Sequence, residues 1–206
     1  MDHLPVFLRL KRQPVVVVGG GTVAARKVSA LLKTGAQVTV IAPAVHPPLA
    51  AQATRGELRH IAATFSPEHL DDAVAVIAAT DDAAVNVAVS DAAQARRIPV
   101  NVVDDVSLST FIFPAIIDRS PILVAVSSAG HAPVLARRIR AQIEALLPSR
   151  LGALARFMGE RRRAVQRALG ALARRRFWER LVSGPVAGRV LAGDESGAER
   201  AFGRAL

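Results

Sequence analysis

Apolar runs and amphipathic stretches alternate through the first half of the chain. Val15 to Val18 is an unbroken apolar run ended by three glycines and predicts a buried strand; residues 23–34 then carry apolar positions at helical spacing. Gly35 is a C-cap signal, and 37–41 reads as a second buried strand. The pattern continues with a short helix at 49–55, a short strand at 57–62 and a helical turn at 66–70 opened by Ser66-Pro67. A strand at 73–79, a helix at 83–96 and a strand at 98–103 follow. Strict alternation of strand and helix predicts an α/β fold with a Rossmann-like, doubly wound parallel sheet.

The pattern then changes. Residues 111–117 and 122–127 are apolar runs joined by Asp118-Arg119-Ser120-Pro121, too short for a crossover helix and suited to an antiparallel hairpin. An uncovered hairpin of this kind invites association, so a partner chain is expected to cover it. A polar loop, 127–132, feeds a helix over 133–147 with Pro133 at an early position. Beyond Pro148, Leu151, Leu154, Ala155, Met158, Val165, Ala168, Leu169 and Leu172 form an apolar face on a helix or helical hairpin. Residues 184–197 are Gly-rich and weakly patterned, as at a subdomain edge or linker. The expected organisation is a dinucleotide-binding domain (1–112), a small α+β dimerisation domain (113–147) and a C-terminal helical domain (148–206).

Candidate chemistry gathers where strands end. In Gly19-Gly20-Gly21-Thr22-Val23-Ala24, Gly19 permits a tight turn, Gly21 lets an anion approach the main chain, and Ala24 lets the helix pack on the strand. The N–H groups near Thr22 and Val23 would face a pyrophosphate. The acid that often ends the second strand of NAD enzymes is missing, the chain reading Ile41-Ala42-Pro43-Ala44, so ribose or adenine contacts fall to the backbone of Pro43 and Ala44. Thr80-Asp81-Asp82 and Asn101-Val102-Val103-Asp104-Asp105 lie at carboxyl ends of strands, where open α/β sheets hold ligands. Asp82 can equally cap the next helix, Asp104 can cap a turn beside a solvated Asp105, and Ser128 can cap the helix that its loop enters or help bind an anion there.

Charge alters the picture in one respect. The chain has 206 residues and a net charge of +10; residues 1–113 carry ten basic and ten acidic side chains, so the whole excess lies beyond them. The second half should attract a polyanion, either nucleic acid or a polyanionic small molecule. No helix-turn-helix and no aromatic stacking platform are evident, which argues against an NAD-responsive regulator that binds nucleic acid. With no Tyr a Tyr–Lys dehydrogenase is excluded, and with no Cys and five scattered histidines (His3, His46, His60, His69, His131) a built-in metal site is not expected. No apolar run is long enough to span a membrane and the first residues do not read as a signal peptide, so a cytoplasmic protein is expected.

Several segments together resemble a known family. Leu4-Pro5-Val6-Phe7-Leu8, the Val17–Lys27 turn, Ala78-Ala79-Thr80-Asp81-Asp82, Asn101-Val102-Val103-Asp104, Pro114 to Pro121, Val126-Ser127-Ser128 and Pro133 to Arg137 are similar, in the same order, to the N-terminal module of bacterial siroheme synthase. The resemblance implies a homodimeric enzyme that oxidises precorrin-2 to sirohydrochlorin with NAD, then inserts ferrous iron as a substrate to give siroheme. It implies cofactor contacts at Thr22, Val23, Pro43 and Ala44, with Gly19, Gly21, Thr80, Asp81, Asn101 and Val102 around them, and a catalytic Asp104. Ser128 would lie near the substrate cleft and is phosphorylated in some relatives. Ala129 and His131 depart from the glycine and threonine usual in that loop. Fused family members enter a linker to a methyltransferase domain near the position of Leu206, so uroporphyrinogen methylation is not expected of this polypeptide. A tetrapyrrole with eight carboxylates suits the basic second half.

Overall fold

Four successive valines leave no polar face, and they occupy the middle of a sheet covered on both sides. In the computed structural model, which describes residues 2–206, β1 (Pro14–Val18) lies between β2 (Gln37–Ile41) and β4 (Ala75–Ala78). With β3 (Arg59–Ile61) and β5 (Val100–Val102) they form a parallel sheet of order β3-β2-β1-β4-β5. The crossovers are α1 (Thr22–Lys33), α2 (Pro47–Thr54), a 3-10 turn at Pro67–Leu70 and α3 (Ala83–Ala95). The doubly wound parallel arrangement matches the sequence expectation.

Because side chains alternate across a strand, the valines serve two cores. Val15 and Val17 join Val38, Val40 and Ile77 beneath Ala24, Val28 and Leu31 of α1, whereas Val16 and Val18 join Val76, Val100 and Val102 beneath Val89 and Ala93 of α3. Each fully buried Val contributes about 1.5–3 kcal/mol. The sheet's rigidity fixes the loops at its carboxyl edge.

This first compact unit ends at Phe113, and Pro114–Leu206 form a second. The boundary corrects one expectation. Phe111 and Phe113, predicted to begin the hairpin, pack on the α1-side core of the first unit. The Phe111 amide donates to Val100 O and the Asn101 side-chain amide donates to Phe111 O at 3.1 Å, so this stretch is held by β5. The hairpin is β6 (Ala115–Arg119) and β7 (Ile122–Val126), with Arg119 opposite Ile122 and only Ser120 and Pro121, joined by a cis peptide bond, at the turn.

Five helices follow: α4 (Pro133–Leu146), α5 (Leu151–Ala168), α6 (Ala171–Ser183), α7 (Pro185–Ala192) and α8 (Glu195–Ala205). Residues 184–197 are therefore mostly helical, not a linker. Val186, Ala187, Val190, Ala198, Ala201 and Phe202 recur at helical spacing and pack with Leu154, Phe157, Val165, Phe177 and Leu181. Gly193, at φ +87°, stops α7, and the Asp194 carboxylate accepts from the Gly197 amide to start α8. Of the two arrangements expected over 151–172, a helix or a helical hairpin, the structure has two helices: α5 ends and Gly170 opens α6, which leaves Leu172 67% exposed.

Candidate functional site

The β1–α1 turn is shaped by three glycines with different tasks. Gly19 has φ +118° and runs so close to the Ala79 backbone that no side chain would fit. Gly20 is pressed against the Ala44 carbonyl and Val45, and accepts a 2.7 Å hydrogen bond from the His46 amide. At Gly21, by contrast, an added Cβ would meet nothing within 4 Å. That residue is the N-cap of α1, and no side chain caps the helix start. The first-turn amides, including those of Thr22 and Val23, are thus left for an outside acceptor, with the helix dipole favouring an anion. A pyrophosphate fits this cradle.

Pro43 and Ala44 are exposed beyond β2, in the same unit and joined to the turn by the His46–Gly20 bond. Ala42 O is contacted at 2.9 Å by His60 Nε2. Beyond β4, Thr80 Oγ1 donates to Asn86 Oδ1 at 2.8 Å and Asn86 Nδ2 donates to Thr80 O at 3.0 Å, which locks that loop onto α3. Asp82 is the helix cap, accepting from the Ala84 and Val85 amides, while Asp81 is exposed.

At the end of β5 the roles of the paired acids reverse the turn-capping expectation. Asp105 is the capping residue: its Oδ1 accepts from Ser107 N and Oγ and from Leu108 N, and these donors hold it below the usual carboxylate range. Asp104 is exposed, adopts φ +61°, and its carboxylate accepts no hydrogen bond among the described residues. An aspartate tolerates that backbone better than most side chains do.

Asn101 and Val102 are buried rather than presented to solvent. Val102 packs in the α3-side core and exchanges backbone bonds with Ser109 Oγ. Asn101 spends its amide on Phe111 O while its Oδ1 is buried without a donor. The bond carries an effect outward, because Phe111 packs 5.6 Å from Phe113, and the Lys27 ammonium of α1 lies 4.0 Å from the Phe113 ring centroid. Burial, and secondarily Arg26, hold Lys27 below the ordinary lysine range, with Asp104 pulling the other way. Sequence reasoning overlooked Lys27; the available signal was a lysine at i+3 from Ala24 and i−4 from Leu31, on the core-facing stripe of α1.

In the second unit, Ser128 Oγ accepts from the Ala132 amide at 3.0 Å, just before Pro133. Ala129 is forced to φ +52°. A cavity of about 690 Å³ lies between the hairpin turn and α5, α7 and α8; of its four arginines, Arg119 pairs with Glu144, Arg150 with Glu195, and Arg161 with Glu160 and Glu199, while Arg156 donates to the Ser120 carbonyl. It contains none of the predicted site residues. Among the described residues no group of three His, Cys, Asp or Glu converges as a metal site, and no helix is long and apolar enough to cross a membrane.

Family models match almost the whole chain in consecutive blocks: residues 6–115 a putative NAD(P)-binding domain, 119–146 a sirohaem biosynthesis protein central region, and 150–206 a sirohaem synthase dimerisation region. The chain belongs to the family of siroheme synthase N-terminal modules. Siroheme synthase of Methylobacillus flagellatus is 55% identical over all of this chain and 44% of its own length; siroheme synthase 1 of Pectobacterium atrosepticum is 50% identical over 97% of this chain and 42% of its own. The chain thus spans under half the length of these curated relatives. A solved structure of SirC, precorrin-2 dehydrogenase, superposes with a TM-score of 0.75 at 25% identity, covering 98% of both chains. The dimerisation model falls on the helices after Pro148, and the central model on the hairpin turn, β7 and α4.

Proposed function

We propose that this chain catalyses NAD-dependent oxidation of precorrin-2 to sirohydrochlorin and then inserts ferrous iron, as substrate, to give siroheme. The observation that carries the reading is the pairing, in one unit, of an anion cradle with open space at Gly21 and an Asp104 carboxylate that no described hydrogen bond occupies. Siroheme synthases and a precorrin-2 dehydrogenase among the similar proteins support it.

Gly19 and Gly21 shape the turn and let the Thr22 and Val23 amides hold the pyrophosphate, while the Pro43 and Ala44 backbone borders the adenosine. The missing acid at Ala42 leaves the preference for NAD to backbone shape. Thr80, Asp81, Asn101 and Val102 fix the edge beside the nicotinamide half, Asn101 by holding Phe111. Bound NAD supplies the hydride acceptor. Asp104 takes the proton lost as the macrocycle is oxidised, and in the second step it takes the two pyrrole N–H protons in turn, passing each to solvent, as iron enters. Iron is held by the tetrapyrrole nitrogens, so no protein ligand set is required. Ser128 borders the substrate cleft, two chains form a homodimer through residues beyond 113, and the enzyme works in the cytoplasm. The test is Asp104→Ala, assayed for NADH formation from precorrin-2 and, separately, for iron insertion into supplied sirohydrochlorin, with NAD binding as control. Loss of both activities with NAD binding intact is expected; retention of both removes Asp104 from the chemistry.

A further inference from the structure

We infer that Lys27 anchors a carboxylate of the tetrapyrrole, holding the macrocycle against the sheet edge that carries Asp104. The inference rests on the proposed substrate class and adds a residue to its site. Lys27 lies on the core-facing stripe of α1, between Ala24 and Leu31, and its helix is fixed by the sheet beneath. Its ammonium lies 4.0 Å from the Phe113 ring centroid and within electrostatic reach of Asp104, at the end of β5.

Three observations distinguish it from a surface lysine. It is half-buried, yet no carboxylate lies within ion-pair distance among the described residues. Its neighbour is the Phe113 ring, a weak cation partner in comparison with a carboxylate. The charged groups that face it are Arg26 on the same helix, which repels it, and Asp104 from the loop after β5, which attracts it without a hydrogen bond. A partly desolvated ammonium in this position gains most from an incoming anion. Precorrin-2, with eight carboxylates, offers one beside the ring that Asp104 must reach.

The test reads binding directly, so it stands apart from turnover. Uroporphyrin, a stable octacarboxylate tetrapyrrole, is titrated by fluorescence into wild type, Lys27→Met and Lys27→Arg, with NAD binding by calorimetry and thermal melting alongside. Lys27→Met should weaken uroporphyrin binding roughly ten- to hundredfold while NAD affinity and melting are kept, and Lys27→Arg should restore it. Wild-type binding should also fade as pH rises toward the ordinary lysine range near about 10.4. It begins to fade below that range because burial lowers this lysine, and Lys27→Arg should lack the alkaline loss. Equal binding by wild type and Lys27→Met, no binding by wild type, or a parallel loss of NAD affinity would each overturn the assignment. Failure of wild type to form NADH from precorrin-2, with this binding pattern intact, would instead count against the proposed reaction.

Discussion

Adjacent glycines at the β1–α1 turn should fail in opposite ways when substituted. A Cβ at Gly20 would strike the Ala44 carbonyl oxygen and stand 3.0 Å from Val45 Cα and 3.1 Å from Ala42 Cβ, with backbone on two sides. Relief requires parting the two loops and stretching the His46–Gly20 bond. Overpacking costs about 1–3 kcal/mol and the lost hydrogen bond about 1 kcal/mol, so Gly20→Ala should destabilise by about 2–4 kcal/mol. At Gly21 the same methyl enters open space at φ −80°, and only the weaker N-cap preference of alanine is felt, about 0.5–1 kcal/mol. On the proposed reading, that methyl would stand where the cofactor's pyrophosphate binds. Gly21→Ala should therefore melt close to wild type yet bind NAD at least about tenfold more weakly, and Gly21→Val more weakly still. Urea denaturation gives the first quantity and calorimetric titration with NAD the second. Equal stability loss in the two alanine variants, or unchanged NAD affinity in a folded Gly21→Val protein, would refute the reasoning.

The carboxylates after β5 should separate likewise. Asp104→Asn should abolish NADH formation at unchanged melting temperature, whereas Asp105→Ala, which removes the acceptor for three donors, should lower the melting temperature. The Asp105 carboxylate is held low in the folded state, so its contribution is full above the unfolded value of about 3.9 and is lost as pH falls through the folded value; acid melts of wild type and Asp105→Ala should converge there. Asn101→Ala leaves the Phe111 carbonyl unpaired and should cost about 1–3 kcal/mol in urea, with a smaller loss of activity than Asp104→Asn gives. Ala129→Gly should stabilise by about 0.5–1 kcal/mol, since φ +52° strains any residue with a Cβ; destabilisation would show that the loop relaxes.

How much of this was legible in the sequence depended on whether a residue's environment is local. The Val15–Val18 run, its glycines and the alternation through Val102 report their own period, so sheet and crossovers were readable. Phe111 and Phe113 read as the start of the hairpin because an apolar run beside a hairpin does not say which core claims it; the Asn101–Phe111 bond, ten residues back, decides. The helices α7 and α8 were hidden by Gly188, Gly193 and Gly197, whose low helix propensity masks a sound spacing of Val186, Val190, Ala198 and Phe202. Which of Asp104 and Asp105 caps the turn depends on side-chain direction, and the exposure of Gly21 against the confinement of Gly20 depends on a loop more than twenty residues away.

The strand order also sets when the cofactor cradle can exist during synthesis. β1 pairs with β2 and with β4, so Val15 must wait for Ala75, and Gly19 gains its tight neighbour only when Ala79 has left the ribosome. Contacts so distant along the chain close slowly, and until they do the four valines lack one flank and can be captured by other nascent strands. The glycine turn is translated about sixty residues before the Ala79 backbone that completes it. A dinucleotide can therefore act as a late selector during folding, drawing forward only chains in which both halves of the sheet have met.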